Sequence, residues 1–103
     1  MEKVVINSFT RNKLASLVDV MYTNEYFGFK EDAHKYVDEI LEFIYRLPAQ
    51  RYKLMNNPKQ GKYYCRYQPN RNTTWYVIFD KEEDFYIVKN VTNNHSKDYL
   101  EII

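Results

Sequence analysis

The residues TTWYVIFDKEEDFYIVKNV, at positions 73–91, decide the fold class that is predicted for this chain. Thr73–Phe79 and Phe85–Val91 are both rich in β-branched and aromatic residues, which favour strands. The acidic segment DKEED at Asp80–Asp84 lies between them and is polar and short, which is typical of a turn. This stretch therefore predicts two neighbouring antiparallel strands joined by a turn.

A third strand is predicted just before this pair, at Lys62–Gln68. Side chains alternate between the two faces of a strand. That alternation places Tyr63, Cys65 and Tyr67 on one face and Tyr64, Arg66 and Gln68 on the other. The sequence PNRN at Pro69–Asn72 predicts a turn, so the three strands form an antiparallel meander.

Two amphipathic helices are predicted upstream of the meander, because apolar residues recur there at helical spacing. In the first helix, Ser8 or Thr10 is the expected cap. Asn24 and Gly28 mark the break before the second helix, and Pro48 ends that helix. The two apolar stripes are Leu14, Leu17, Val18, Met21 and Tyr22, and then Ala33, Tyr36, Val37, Ile40, Leu41, Ile44 and Leu47.

These elements predict an α+β fold in a single domain over residues 1–103. An N-terminal short strand at Lys3–Ile6 and a helical hairpin pack on the C-terminal antiparallel β-meander. Ala49–Gln60 is predicted as a loop with at most one helical turn. The helices cover one face of the sheet, and we expect the other face, with Tyr64 and Arg66, to be free for function.

Composition narrows the class of protein further. The single cysteine, Cys65, has no partner for a disulfide, which is typical of a reducing, cytoplasmic setting. No apolar stretch approaches the roughly 18–20 residues that a membrane span needs. His34 and His95 are the only histidines, and the chain has two glycines. Neither a metal site nor a glycine-rich phosphate loop is predicted, and no cofactor is expected.

The charge is distributed unevenly, although the formal net charge is only +1. No acidic residue occurs between Glu42 and Asp80. A basic segment of this kind indicates either a polyanionic partner or an ordinary solvated surface. The interval contains Arg46, Arg51, Lys53, Lys59, Lys62, Arg66 and Arg71.

The last predicted strand leads into a polar cluster, KNVTNNHSKDY, at Lys89–Tyr99. Histidine side chains can transfer protons in catalysis, so His95 is a candidate general acid or base. Lys97 can bind a phosphate, and Tyr99 can stack on a base or donate a proton. Because sites often lie in loops after strands, the cluster is either part of an active site or a polar tail.

Together these segments resemble the RelE/ParE superfamily of bacterial type II toxins over nearly the whole chain. The resemblance is carried by FIYRLP at the end of the second helix, by YYCRY, by TTWYVIFD with its acidic turn, and by YIVKNVTNNHSKDY. It implies a small toxin that a cognate antitoxin neutralises. RelE-like members cut mRNA on the ribosome, whereas ParE-like members inhibit DNA gyrase.

The resemblance also implies roles for individual residues. Arg66 would stabilise the scissile phosphate, His95 would act as general acid or base, and Tyr99 would stack or donate a proton. The RNA supplies its own nucleophile, the 2′-hydroxyl, so the reaction needs no metal. The implied RNA-binding residues are Lys62, Tyr64, Arg71 and Lys97.

Two features keep other functions open. Thr73 and Thr74 stand where family members have an arginine on the middle strand, and the net charge is low for a protein that docks into ribosomal RNA. A ParE-like gyrase inhibitor and a non-toxic interaction protein therefore remain alternatives. We expect an antitoxin to bind through an acidic or amphipathic segment that lies over the helical hairpin and the basic sheet face.

Overall fold

A mixed β-sheet with two helices on one face forms the described part of the protein. The computed structural model describes residues 2–23 and 30–95. Within these ranges the helices are α1 (Ser8–Thr23) and α2 (Lys30–Tyr45), followed by a short 3₁₀ helix at Leu47–Ala49. The strands are β1 (Lys3–Ile6), β2 (Lys53–Leu54), β3 (Tyr63–Tyr67), β4 (Trp75–Glu82) and β5 (Phe85–Asn93).

The strands lie in the order β1-β5-β4-β3-β2. Strands β3, β4 and β5 pair antiparallel, which confirms the predicted meander. The predicted N-terminal strand β1 is also present, and it pairs parallel with β5 so that Ile6 lies opposite Val88. Strand β2 adds an antiparallel edge beside β3. The α+β class is therefore confirmed, and the structure adds the two edge pairings.

The predicted turn between β4 and β5 is shorter than expected. Glu82 still pairs with Phe85, so only Glu83 and Asp84 remain between the strands. Glu83 has a φ of 51°, in the left-handed region. The acidic residues extend the hairpin because ladder hydrogen bonds outweigh their weak strand propensity. At the other end, β5 continues to Asn93, two residues beyond the predicted boundary.

Both predicted helices are present, but the first has a different cap. The Asn7 side-chain oxygen accepts a hydrogen bond from the Thr10 amide at 2.8 Å, so Asn7 caps α1 instead of Ser8 or Thr10. The Asn7 backbone N–H also donates to the Val88 carbonyl at 3.1 Å, which joins the start of α1 to β5. Pro48 lies in the 3₁₀ turn after α2, as predicted for a helix stop. Among residues 2–23 and 30–95, no helix is long and apolar enough to cross a membrane.

The core lies between the helices and one face of the sheet, and the opposite face is partly covered as well. Residues 55–61, which connect β2 to β3, fold over that opposite face. Met55 packs against Tyr76 and Ile78, and the Asn90 side-chain amide Nδ2 donates to the Gln60 side-chain oxygen at 2.8 Å. Among the described residues this loop covers part of the second face, and Arg66 on that face is exposed. The buried core residues include Leu14, Val18, Val37, Ile40, Ile44, Val77, Phe79 and Val88.

Candidate functional site

A cavity of about 700 Å³ lies at the edge of the sheet where β2 meets β3. Its lining consists of residues 49–53 together with Tyr64 and Arg66. Three of these residues are cationic, namely Arg51, Lys53 and Arg66, and all three are exposed. The cavity therefore combines basic groups with aromatic rings at an accessible position.

Strand pairing explains why the cations lie together. Lys53 pairs with Tyr64 at the edge of the sheet, and Arg51, two residues earlier, lines the same cavity as Arg66. The Cys65 thiol donates a hydrogen bond to the Arg51 carbonyl at 3.2 Å, which holds this part of the chain against β3. Alternate residues of an extended segment point to the same side, so Arg51 and Lys53 share a face.

Tyr52 fixes which side those cations occupy. Its ring packs edge-on against Tyr63 and Phe79, with centroid distances of 5.1 Å and 5.6 Å. Phe79 belongs to the core beneath the helices, so Tyr52 lies on the helix-facing side of the sheet. Its neighbours Arg51 and Lys53 are thereby directed to the opposite side, next to Arg66.

The cations of the cavity are not neutralised by the described part of the chain. No carboxylate in residues 2–23 or 30–95 forms an ion pair with Arg51, Lys53 or Arg66. Like charges on neighbouring strand positions repel each other. An anion in the cavity would relieve that repulsion, so the arrangement favours an anionic ligand.

Asp80, the acidic residue that ends the acid-free interval, is engaged by other groups. Its carboxylate accepts hydrogen bonds from Lys89 Nζ at 2.9 Å and from the Lys62 amide at 2.8 Å. Partial burial raises the pKa of Asp80, but the hydrogen bond from Lys89, then the one from Lys62, and the charges of both lysines outweigh it. The pKa therefore lies below its usual value, and Asp80 stays ionised without neutralising the cavity.

The predicted site residues divide into separate groups. Arg66 and Tyr64 line the cavity, and the Tyr64 ring lies 5.9 Å from that of the buried Tyr76. Lys62 is exposed just before β3 and does not line the cavity. Lys97 and Tyr99 lie outside the described residues.

His95 and Arg71 lie near the β3–β4 turn and not at the cavity. The His95 amide donates to the Asn93 side-chain oxygen at 2.9 Å, and His95 Nε2 lies 3.3 Å from the Thr73 hydroxyl. Arg71 is an exposed residue of the same turn. Two interstrand spacings, about 10 Å in all, separate β3 with Arg66 from β5, which leads to His95. The structure thus brings Arg66 and Tyr64 together but does not place His95 among the cavity residues.

Arg51 and Lys53 are site residues that sequence reasoning missed, because their segment was predicted as a loop. Strand β2 has only two residues, too few to show an alternating pattern. The usable signal was the spacing of two basic residues two positions apart, within an interval that lacks acid. That spacing puts both charges on one face only if the segment is extended.

A second, smaller cavity of about 320 Å³ lies between α1 and α2. Leu14, Val18 and Val37 supply its buried surface. Arg11, His34 and Asp38 are exposed at its margin, so it is an apolar groove with charged borders. In the described ranges, no cluster of three or more His, Cys, Asp or Glu side chains could hold a metal ion.

Comparison with known proteins adds no assignment. No family model, no curated protein and no solved structure matches this chain. Arginines, a lysine and tyrosines around one accessible cavity suit a ligand with phosphate groups and planar bases.

Proposed function

We propose that this protein is the toxin of a bacterial type II toxin–antitoxin system and acts in the cytoplasm as a RelE-like, ribosome-dependent mRNA endonuclease. The observation that carries the proposal is the cavity at β2 and β3, where Arg51, Lys53 and Arg66 lie beside Tyr64 and have no carboxylate partner within residues 2–23 and 30–95. The resemblance of the sequence to RelE/ParE toxins supports the same function. So does the agreement of the α+β fold with the expected order of elements.

The proposed reaction uses the RNA 2′-hydroxyl as nucleophile. Its oxygen attacks the adjacent phosphorus, the bond from phosphorus to the 5′ oxygen breaks, and a 2′,3′-cyclic phosphate forms. Negative charge increases on the phosphoryl oxygens in the transition state. Arg66 and Arg51 can contact those oxygens with two N–H groups each, and Lys53 adds a point charge. A base takes the 2′ proton, and an acid protonates the leaving 5′ oxygen.

His95 and Tyr99 remain the proposed proton-transfer residues. The His95 ring is exposed and lies beside the Thr73 hydroxyl, so solvent and a bound RNA can reach it. An RNA strand that contacts both groups must extend from the cavity across β4 towards the end of β5. His95 and the cavity cations would then contact different parts of the same substrate.

The separation of His95 from the cavity also favours a second candidate, a ParE-like inhibitor of DNA gyrase. Such a protein needs a charged contact surface and no proton-transfer residue near it. The cavity cations would then bind an acidic surface of the enzyme or its DNA. In that case DNA supercoiling by purified gyrase falls when the protein is added, and Arg66→Ala weakens the inhibition.

An antitoxin is part of the main proposal. The apolar groove between α1 and α2 suits an amphipathic segment, and the exposed cations beside β2 suit an acidic one. A single acidic and partly apolar chain would be complementary to both.

The main test is a map of transcript 5′ ends after brief induction in a bacterial host. We expect new ends inside translated reading frames, in phase with codons. Arg66→Ala should reduce them by about 10²–10³-fold, the usual effect of removing one group that stabilises transition-state charge. Arg46→Ala is the matched control, because Arg46 is an exposed arginine that pairs with Glu42 away from the cavity.

The His95→Ala variant tests the proton-transfer role separately. Loss of the ends with His95→Ala supports that role, and unchanged cleavage contradicts it while leaving the cavity assignment intact. Growth arrest without new ends points to gyrase. Neither growth arrest nor new ends would contradict both toxin proposals and favour a binding protein of this fold.

A further inference from the structure

The outer edge of β2 has backbone hydrogen-bonding groups that residues 2–23 and 30–95 leave unused. The Met55 amide donates to the Lys62 carbonyl at 2.8 Å, so Met55 and Lys62 form a hydrogen-bonded pair of the ladder. Such pairs alternate along antiparallel strands, so Lys53 and Tyr64 form the next one. The N–H and C=O groups of Tyr52 and Leu54 therefore point away from β3. The described residues offer them no backbone or side-chain partner.

The side chains along this edge are sorted by chemistry. On the helix-facing side, Leu54 is 71% exposed and Tyr52 is 40% exposed. On the other side are Arg51 and Lys53, which line the cavity. Edge strands are usually protected by charge, by proline or by a covering segment. Here an exposed leucine accompanies backbone groups that the described residues leave unpaired. The helix-facing side therefore presents Leu54 and the Tyr52 ring, with Lys81 Nζ 5.9 Å from that ring, and the other side is cationic.

We propose that β2 is the docking edge for an extended partner segment in which acidic and apolar residues alternate, and that this segment adds to the sheet as a further strand. Its backbone pairs with Tyr52 and Leu54. Its acidic side chains lie beside Arg51 and Lys53, and its apolar side chains lie beside Tyr52 and Leu54. Cross-strand neighbours are about 4.5–5.5 Å apart, which is close enough for both kinds of pair to contact.

Charge complementarity identifies the occupant as acidic. A second copy of this chain would bring another Arg51 and Lys53 to the same edge, and the like charges would repel. An acidic segment instead neutralises cations that the described residues leave unpaired. The apolar residues at alternate positions specify the register, because a slip by one residue would place them on the charged side.

A regulatory consequence follows, and it rests on the proposed function. The added strand engages Arg51 and Lys53, which are also the proposed contacts for the RNA phosphates. Strand addition and RNA binding therefore exclude each other, and each must weaken the other by the same factor. The segment would inhibit the protein by occupying the edge of its cavity, without any change in the fold.

The binding experiment uses a fluorescent synthetic peptide of alternating glutamate and valine. Two control peptides have the same composition: one with the glutamates in a single block, and one with N-methyl groups on the amides that would pair with β2. Binding is measured by anisotropy on the intact chain, and amide hydrogen exchange is measured with and without peptide. We expect the alternating peptide to bind and to slow exchange at the Tyr52 and Leu54 amides.

Variants of the edge separate backbone pairing from charge. Leu54→Pro removes the Leu54 N–H, which points away from β3, and leaves the bonds to β3 intact. We expect affinity for the alternating peptide to fall about fivefold more with Leu54→Pro than with Leu54→Ala, because about fivefold corresponds to the loss of one net hydrogen bond. Lys53→Ala should weaken binding about two- to fivefold. Equal binding of the block peptide or the N-methylated peptide, or no protection of the Tyr52 and Leu54 amides, would overturn the proposal.

The two proposals fail independently. Peptide binding with amide protection but no competition by a single-stranded RNA, and no cleavage in cells, would support the docking edge and contradict the nuclease. Cleavage that the alternating peptide does not inhibit, with no amide protection, would support the nuclease and contradict the docking edge.

Discussion

Removing one cavity cation should change the salt dependence of RNA binding by a predictable amount. Binding to single-stranded RNA weakens with salt by a slope of about −0.7 in log K against log salt for each phosphate that the protein neutralises. The three cations Arg51, Lys53 and Arg66 predict a slope of about −2.1. Arg66→Gln leaves two contacts and predicts a slope of about −1.4. Between about 50 and 200 mM salt, affinity should then fall about 18-fold for the unmodified protein and about sevenfold for the variant.

The assay is fluorescence anisotropy with a 2′-O-methyl RNA, which binds but has no free nucleophile, so cleavage does not disturb the titration. Arg46→Gln is the matched control, because it removes the same charge from an exposed position paired with Glu42. Its slope should stay near −2.1. If Arg66→Gln leaves the slope unchanged, or if Arg46→Gln reduces it equally, the cavity does not hold the phosphates and the reasoning is refuted.

Three further predictions concern stability and reactivity. Asp80→Asn should lower the free energy of unfolding by about 1 kcal/mol at neutral pH. Because the folded pKa of Asp80 is depressed, this contribution is complete above the unfolded pKa of about 3.9 and disappears as the pH falls through the folded pKa. Urea titrations in which the two proteins differ by the same free energy at acid pH as at neutral pH would contradict it. Gly61→Ala should destabilise the fold by about 1–3 kcal/mol, because the Cβ of the new alanine would lie 2.7 Å from Cγ2 of the buried Ile78. An unchanged melting temperature would show that the loop moves away freely. Burial raises the pKa of the Cys65 thiol to about 11, so a thiol reagent at mildly alkaline pH should label it only when the protein unfolds, and rapid labelling of the folded protein would contradict this.

Local patterns were sufficient to predict the elements that the core requires. The apolar spacing from Ala33 to Leu47 predicted α2, and the alternation in Lys62–Gln68 predicted β3, because each pattern spans several residues that face one core. The same alternation correctly put Arg66 on the face away from the helices. These predictions succeeded because burial imposes a period that the sequence must follow.

The remaining features depend on pairing between distant segments. The parallel register of β1 with β5 has no local signal, and β2 becomes a strand only because β3 lies beside it. That pairing brings Lys53, and with it the adjoining Arg51, to the cavity that Arg66 lines, so the sequence alone placed just one of the cavity cations in the site. The cap at Asn7 was missed because its side chain also bonds the Lys89 carbonyl of β5, which is distant in sequence.

The pairing of β1 with β5 has a consequence for biosynthesis. The Asn7 side chain donates a hydrogen bond to the Lys89 carbonyl, which is 82 residues later in the chain. At about 5–20 residues per second, translation needs roughly 4–16 s to supply this partner after Asn7 is made. During that time the growing chain contains β1 and both helices but not the strand that completes their packing surface. The finished sheet therefore forms only after β5, which ends at Asn93, has left the ribosome, and until then Ile6, Leu14 and Val18 lack the strand that completes their core.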